Sequence, residues 1–247
     1  MDTFATATAV MGARHHRSAR NGQDGAAAWS GDAAAVVAVC DGCSSGASSE
    51  VGARLGARLF VGCVAARLHA GESPRERTTW EAARAEAAST LVDVLERMGG
   101  DRAATIHEQF LFTIAAAAVS RDGAAVWLLG DGGYSFGDRT RIVGPFDENA
   151  PPYLAYDLLG APSEAHFEVA PEHVSLIVVA TDGASDLALE PFADARFVEH
   201  PDALRRHLAV LARTGERIDW DERRVVRTPA VLQDDCAVGV LRWRLST

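Results

Sequence analysis

Three apolar runs in this chain each end in an aspartate followed by a glycine, and that repetition limits how the chain can fold. They are VVAVCDG (36–42), AAVWLLGDGG (124–133) and SLIVVATDG (175–183). Each run is rich in β-branched and aliphatic residues and reads as a strand. One Asp-Gly pair is an ordinary turn, because glycine accepts φ > 0 and aspartate bonds its own backbone. Three strands that each deliver an aspartate at the tip call for a shared explanation. Carboxylates gathered in one place repel one another unless they are solvated, protonated or neutralised by cations. Hard divalent ions bind carboxylates, backbone carbonyls and waters. A glycine after the aspartate lets its own carbonyl approach such an ion.

The chain has 247 residues, 48% of them hydrophobic and 23% charged, which is ordinary for a soluble globular protein. Its formal charge of −10 argues against nucleic-acid binding and against adhesion to an anionic membrane. All basic side chains are arginine, with no lysine, and together with the abundant alanine this fits a GC-rich bacterial source. Cys40 and Cys43 form a C-x-x-C pair, but neither a second pair nor suitably spaced histidines complete a zinc site. The four cysteines are read as small buried or half-buried residues in a reducing compartment. No signal peptide or membrane-length apolar run stands out, so a cytoplasmic location is expected.

Strand character occupies 4–10 and 26–40, joined by a polar connection expected to be flexible. Residues 47–70 place Val51, Leu55, Leu59 and Val64 at helical spacing, with Ser48 or Ser49 as a cap. A second helix is expected from about Trp80 to Met98, closed by Gly99 and Gly100. From 109 the texture is that of a β-meander, followed by a proline- and acid-rich loop over 144–166. A strand over 174–181, helices near 183–190 and 201–213, and a last strand over 236–244 complete the chain. Strands from both ends are needed to complete the sheets, so a single domain over 1–247 is expected.

Five motifs occur in order: N-x-Q-D at 21–24, V-x-V-C-D-G at 37–42, L-G-D-G at 129–132, A-T-D-G-A-S-D at 180–186 and D-D-C-A-V at 234–238. This set resembles the metal-dependent serine/threonine protein phosphatases of the PPM or protein phosphatase 2C type, in particular their compact bacterial members. The resemblance implies an α+β fold, a four-layer α-β-β-α sandwich of two antiparallel sheets flanked by helix pairs. It also implies two Mn²⁺ or Mg²⁺ ions, with a third weak site conceivable, and hydrolysis of phosphoserine or phosphothreonine esters by a metal-bridging hydroxide. Carried over by position, Asp41 would bridge the metals and the Gly42 carbonyl would be a further ligand. Asp182 and Asp234 would complete one ion's shell, and Asp24 would contribute directly or through water. Gln23 stands where a water-binding glutamate is common. Asp131 and Asp186 are candidates for a peripheral ion, and Asp235 would orient its neighbour.

One departure stands out. The family often places a phosphate-binding arginine five residues before the first aspartate, and here that position is Ala19. Arg17, Arg20 and His15 or His16 are the candidates to replace it. The 144–160 segment, with Asp147, Glu148, Asn149, Tyr153 and Tyr156, sits where the family carries a variable flap beside the active site. A phosphorylated protein is the expected partner, together with a cognate serine/threonine kinase. Two rivals remain: a pseudophosphatase that binds a phosphorylated partner without turnover, and a phosphatase of small phosphate esters.

Overall fold

The structure, a computed structural model, describes residues 1–184 and 187–244. Strands and helices are numbered in chain order. One five-stranded antiparallel sheet has the order β1 (Asp2–Val10), β12 (Cys236–Arg244), β9 (Leu176–Ala180), β6 (Gly132–Phe136), β7 (Arg139–Val143). The other has the order β2 (Gly25–Ser30), β3 (Ala35–Cys40), β4 (Ile114–Ser120), β5 (Gly123–Leu129), β8 (His166–Val169).

The apolar runs lack polar alternation because both faces of each sheet are covered. In β3, Ala35, Val37 and Val39 pack between the sheets, whereas Val36, Ala38 and Cys40 pack under the helices α2 (Ser49–His69) and α3 (Arg77–Met98). In β12, Ala237 and Leu241 face the inter-sheet core, whereas Cys236, Val238 and Val240 face an outer layer. That layer comprises a 3₁₀ turn (Glu190–Ala193), α6 (Arg196–Glu199) and α7 (Pro201–Leu211). Successive strand residues point to opposite faces, so each of these strands contributes to two cores. The α-β-β-α order is as expected, although the second outer layer is thinner than a pair of full helices.

Several local expectations give way to packing. The buried face of α2 runs through Ala53, Ala57, Phe60, Val64 and Leu68, while Val51 is exposed. Small residues decide this: a Cβ on Gly52 would lie 2.2 Å from the Gln109 carbonyl oxygen, so the helix seats on its glycine face. Ser48 precedes the helix without a capping bond. The connection expected to be flexible holds α1 (Ala13–Ser18). α4 (Arg102–Gln109) fills the stretch just before the meander, where no element was expected, started by Asp101, whose side chain accepts from the Ala104 amide. No helix spans 183–190 among the described residues; 3₁₀ turns at Asp182–Ala184 and Glu190–Ala193 flank it. The 144–166 loop contains α5 (Ala155–Leu158) and leads into β8. A separate hairpin, β10 (Gly215–Asp219) and β11 (Arg224–Thr228), follows α7.

Candidate active site

Strand register decides where the acidic tips meet. β2 and β3 pair Gly25 with Cys40, and one step further the same register sets Asp24 against Asp41. β6 and β9 pair Gly133 with Ala180, which two steps further sets Asp131 against Asp182. β1 and β12 pair Val10 with Cys236, so Gly12 meets Asp234. The pairing of Ala180 with Val238 joins the last two groups. At this end of the sandwich a cleft of about 130 Å³ is lined by Asp41, Asp131, Asp182, Asp234 and Asp235, with His15, Gln23, Gly42, Pro151 and Tyr153 among its other walls. Larger clefts lie elsewhere, without these aspartates.

Two glycines permit this convergence. A Cβ on Gly183 would fall 1.8 Å from the Asp235 carbonyl oxygen, and one on Gly42 would fall 2.7 Å from that of Gln23. No side chain fits at either position without separating the motifs.

Asp24 lies beneath the cleft rather than on its wall, only 4% exposed, and accepts a 2.7 Å hydrogen bond from Thr181 Oγ1. Its carboxyl also shares a hydrogen bond with that of Asp41. Burial, with the charges of Asp235 and Asp182, pushes Asp24 up to about 8 against the opposing Thr181 bond. Burial and the neighbouring aspartates raise Asp41 likewise. Asp131 is raised to about 6 by burial and Asp182, and its Oδ1 is buried without a hydrogen-bond partner. On their own Asp24 and Asp41 therefore hold protons near neutrality. An all-oxygen donor set with an orphaned carboxylate oxygen suits a hard divalent ion, which relieves both costs at once.

Asp235 is held differently. Its oxygens accept from the Gly12 amide at 2.8 Å, the Gln23 amide at 2.5 Å and His15 Nδ1 at 2.6 Å. It thereby fixes the imidazole at the cleft, and Nε2 is the ring nitrogen left for a ligand. One nitrogen of His15 and one oxygen each of Asp234 and Asp235 lie within 4.8 Å of one another. Gln23 Nε2 donates to Ser49 Oγ at 2.6 Å and to the Cys43 carbonyl at 3.2 Å, so its Oε1 remains as an acceptor.

The two arginine candidates are elsewhere. Arg20 ties down the loop after Asp41 through the carbonyls of Ser44 and Gly46, at 2.6 and 2.8 Å. Arg17 reaches Gln233 at 3.4 Å and lines a different cleft. Asp186 lies outside the described residues.

Of the 144–160 segment, Pro151 and Tyr153 border the cleft, whereas Tyr156 packs edge-on against Tyr153, ring centres 5.6 Å apart. Behind them, buried Arg84 of α3 grips Asp157 through two hydrogen bonds of 2.6 and 2.7 Å and the Ser163 carbonyl at 2.8 Å. The segment is thus a braced wall. Asp157→Ala leaves the buried Arg84 charge with only Glu81, at 3.4 Å, as its acidic partner and is expected to cost about 3 kcal/mol of stability, read from denaturant unfolding. An unchanged unfolding midpoint would show that the clamp is not structural.

Reading the residues alone missed Thr181, which sits directly before Asp182 in A-T-D-G and was open to recognition there. It also missed Thr113, whose amide donates to the Asp41 carbonyl at 2.9 Å, a contact set only by β3–β4 register. Cys43, taken as an inert small residue, borders the cleft. Burial raises its thiol, but hydrogen bonds from Ser45, Tyr153 and the backbone outweigh this and leave it below its ordinary value. All four cysteines are free.

A sequence profile described as protein phosphatase 2C matches residues 11–219. The chain belongs to the protein phosphatase 2C family. Asp234 and Asp235 lie beyond the matched segment of this 2C-type chain, and strand register alone brings them to the cleft. Among curated proteins none matches. Solved structures of similar fold include a bacterial serine phosphatase carrying a point substitution, at 11% identity and TM-score 0.60, covering 99% of this chain and 100% of that one. Another is a serine-threonine phosphatase 2C from Toxoplasma gondii, at 12% identity and TM-score 0.57, covering 98% and 95%. A C. elegans sex determining protein is similar at 16% identity and TM-score 0.58; 99% of this chain aligns, spanning 65% of that longer one. At these identities the likeness is one of fold.

Proposed function

We propose that this 2C-type chain hydrolyses phosphoserine and phosphothreonine esters of proteins at a pair of divalent ions, Mn²⁺ or Mg²⁺. The observation that carries this reading is the register-driven meeting of Asp24, Asp41, Asp131, Asp182 and Asp234, with one carboxylate oxygen orphaned and others forced to keep protons. Asp41, the Gly42 carbonyl, Asp182 and Asp234 would hold the ions, and Asp131 offers its free oxygen to a third, weaker one. When bound, the ions supply charge neutralisation at phosphorus and an activated water for in-line attack. Asp24 acts from beneath, its bond to Thr181 fixing the orientation of its carboxyl against Asp41. Gln23, with its amide nitrogen committed, presents Oε1 to water. No side chain need act as nucleophile.

His15 takes the phosphate-binding part. It alone of the candidate cations Arg17, Arg20 and His15 borders the cleft, and Asp235 holds its ring in place. His15→Asn keeps a donor toward Asp235 but shortens the reach into the cleft. It is expected to lower kcat/KM about 10–100-fold, the worth of one charge-assisted hydrogen bond, with little change in melting temperature. Unchanged kinetics would return the role to another residue.

The core shared between the sheets supports one domain over 1–247, and among the described residues no helix is long and apolar enough to cross a membrane. A cytoplasmic phosphoprotein made by a serine/threonine kinase fits as substrate. The test is hydrolysis of a phosphothreonine peptide and of p-nitrophenyl phosphate, each with Mn²⁺ and with EDTA. Metal-dependent turnover favouring the peptide is expected. Turnover of the small ester alone points to a small-molecule phosphatase, and a folded chain inert toward both points to a phosphoprotein-binding module.

A further inference from the structure

On the other side of α1 from His15 lies a second, wider cleft of about 630 Å³, between the end of β1, α1 and α7. Its floor is apolar, formed by residues such as Val10, Met11 and Ala209, and its charged lining consists of Arg17, Arg205 and Arg213, beside His16 and with no carboxylate. A hollow of about 390 Å³ continues from it, sharing Arg17 and Thr214 and adding Arg227 and Glu216. In a chain of net charge −10, a groove lined by cations alone is a local reversal of sign. Its arginines are only loosely engaged, Arg17 meeting Gln233 at 3.4 Å. Among the described residues no carboxylate pairs with Arg17 or Arg213, and Arg205 meets only exposed Asp202, at 3.4 Å and i,i+3 spacing. Arg227 pairs with Glu216 at 2.9 Å in the hollow.

We infer that this groove docks an acidic segment flanking the phosphorylated residue of the protein substrate. The inference rests on the phosphoprotein reading above. A small inorganic anion would need buried, convergent donors, whereas these guanidinium groups are exposed and spread along an open trough with an apolar floor. That layout suits an extended chain whose carboxylates meet the arginine forks while its stems cover alanine and valine. An α-helix with its side chains is about 10–12 Å across, and α1 (Ala13–Ser18) separates the two clefts. His15 borders the catalytic cleft, and His16 and Arg17 border the groove. At ~3.3 Å per extended residue the acidic segment sits roughly three to five residues from the phosphoresidue.

The test uses a fluorescent phosphothreonine peptide with Asp and Glu at those positions, and a twin with Ser and Gln there. Anisotropy in EDTA reads binding without turnover, and p-nitrophenyl phosphate hydrolysis with Mn²⁺ reads the catalytic site separately. The wild-type chain is expected to bind the acidic peptide about tenfold more tightly than its twin, with an affinity that falls as salt rises. The double variant Arg205→Glu, Arg213→Glu is expected to erase that difference while hydrolysing p-nitrophenyl phosphate at the wild-type rate. Equal binding of the two peptides by the wild type overturns the inference. So does equal competition by a single-stranded DNA oligonucleotide, which would mark a general polyanion surface. A chain that discriminates the peptides but hydrolyses nothing retains the docking groove and loses the enzymatic reading.

Discussion

Asp41→Asn is expected to lower kcat/KM toward p-nitrophenyl phosphate by at least about 10³-fold, while the metal-free protein becomes no less stable. The two effects diverge because one carboxylate is asked to do opposite things. On the proposed reading it would help hold the ions, and its loss would remove charge from the place where a phosphoryl group must be neutralised. Uncatalysed phosphate-monoester hydrolysis is slow enough that enzymes accelerate it up to ~10²¹-fold, so one central ligand stands for orders of magnitude. In the metal-free fold the same carboxyl is buried against Asp24, Asp182 and Asp131, and all of these raise its pKa. Asparagine removes that repulsion and still has an amide to donate to Asp24. Activity assays and thermal melts in EDTA on the same preparation check both halves. Wild-type activity in the variant would remove Asp41 from the centre of the mechanism. A large loss of metal-free stability would show that its charge supports the fold.

The metal-free chain is also expected to lose stability as pH rises, by several kcal/mol across the range from about 4 to about 8. Asp24 is raised by burial and its acidic neighbours to about 8 and Asp131 to about 6, and Asp41 moves the same way. A carboxyl with a raised folded-state pKa binds its proton more tightly folded than unfolded. Its contribution is complete below the unfolded value near 4 and is lost as pH climbs through the folded value. Asp131 spends its share by about pH 6, and Asp24 continues to about 8. A divalent ion competes for the same oxygens, so Mn²⁺ should raise the melting temperature more at pH 8 than at pH 5. Melts in EDTA and in Mn²⁺ across this range read it. A flat EDTA profile would mean that the carboxyls are solvated rather than buried together.

The inner layers were legible in the sequence because sheets covered on both faces leave unbroken apolar runs. Those runs placed β3, β5, β9 and β12, and the acid at each tip marked the site. What the residues could not show was register. Asp24 under Asp41, Thr113 on the Asp41 backbone and Asp235 on His15 all depend on which residues of distant strands face each other. The departure at Ala19 was visible, but its consequence needed the packing of α1, which sends His15 to the cleft and Arg17 away from it. The face of α2 was placed only in part: Val64 is in the core and Leu55 and Leu59 pack against it, but Val51 is exposed, and the closest contact is made by Gly52, Ala53 and Gly56, which carry little hydrophobic signal. The β10–β11 hairpin escaped notice since its residues are largely exposed and polar, as in ERIDWDERR.

The meeting aspartates are proposed to hold divalent ions, and Mn²⁺ binding tests this before any substrate is chosen. Titration of the EDTA-stripped, dialysed protein at pH 7.5, followed by calorimetry and by loss of the free-Mn²⁺ electron paramagnetic resonance signal, gives the number of ions bound. Saturation at two ions is expected for the wild type, and markedly weaker binding for Asp41→Asn. A folded wild-type chain that leaves the free-Mn²⁺ signal undiminished would contradict this proposal.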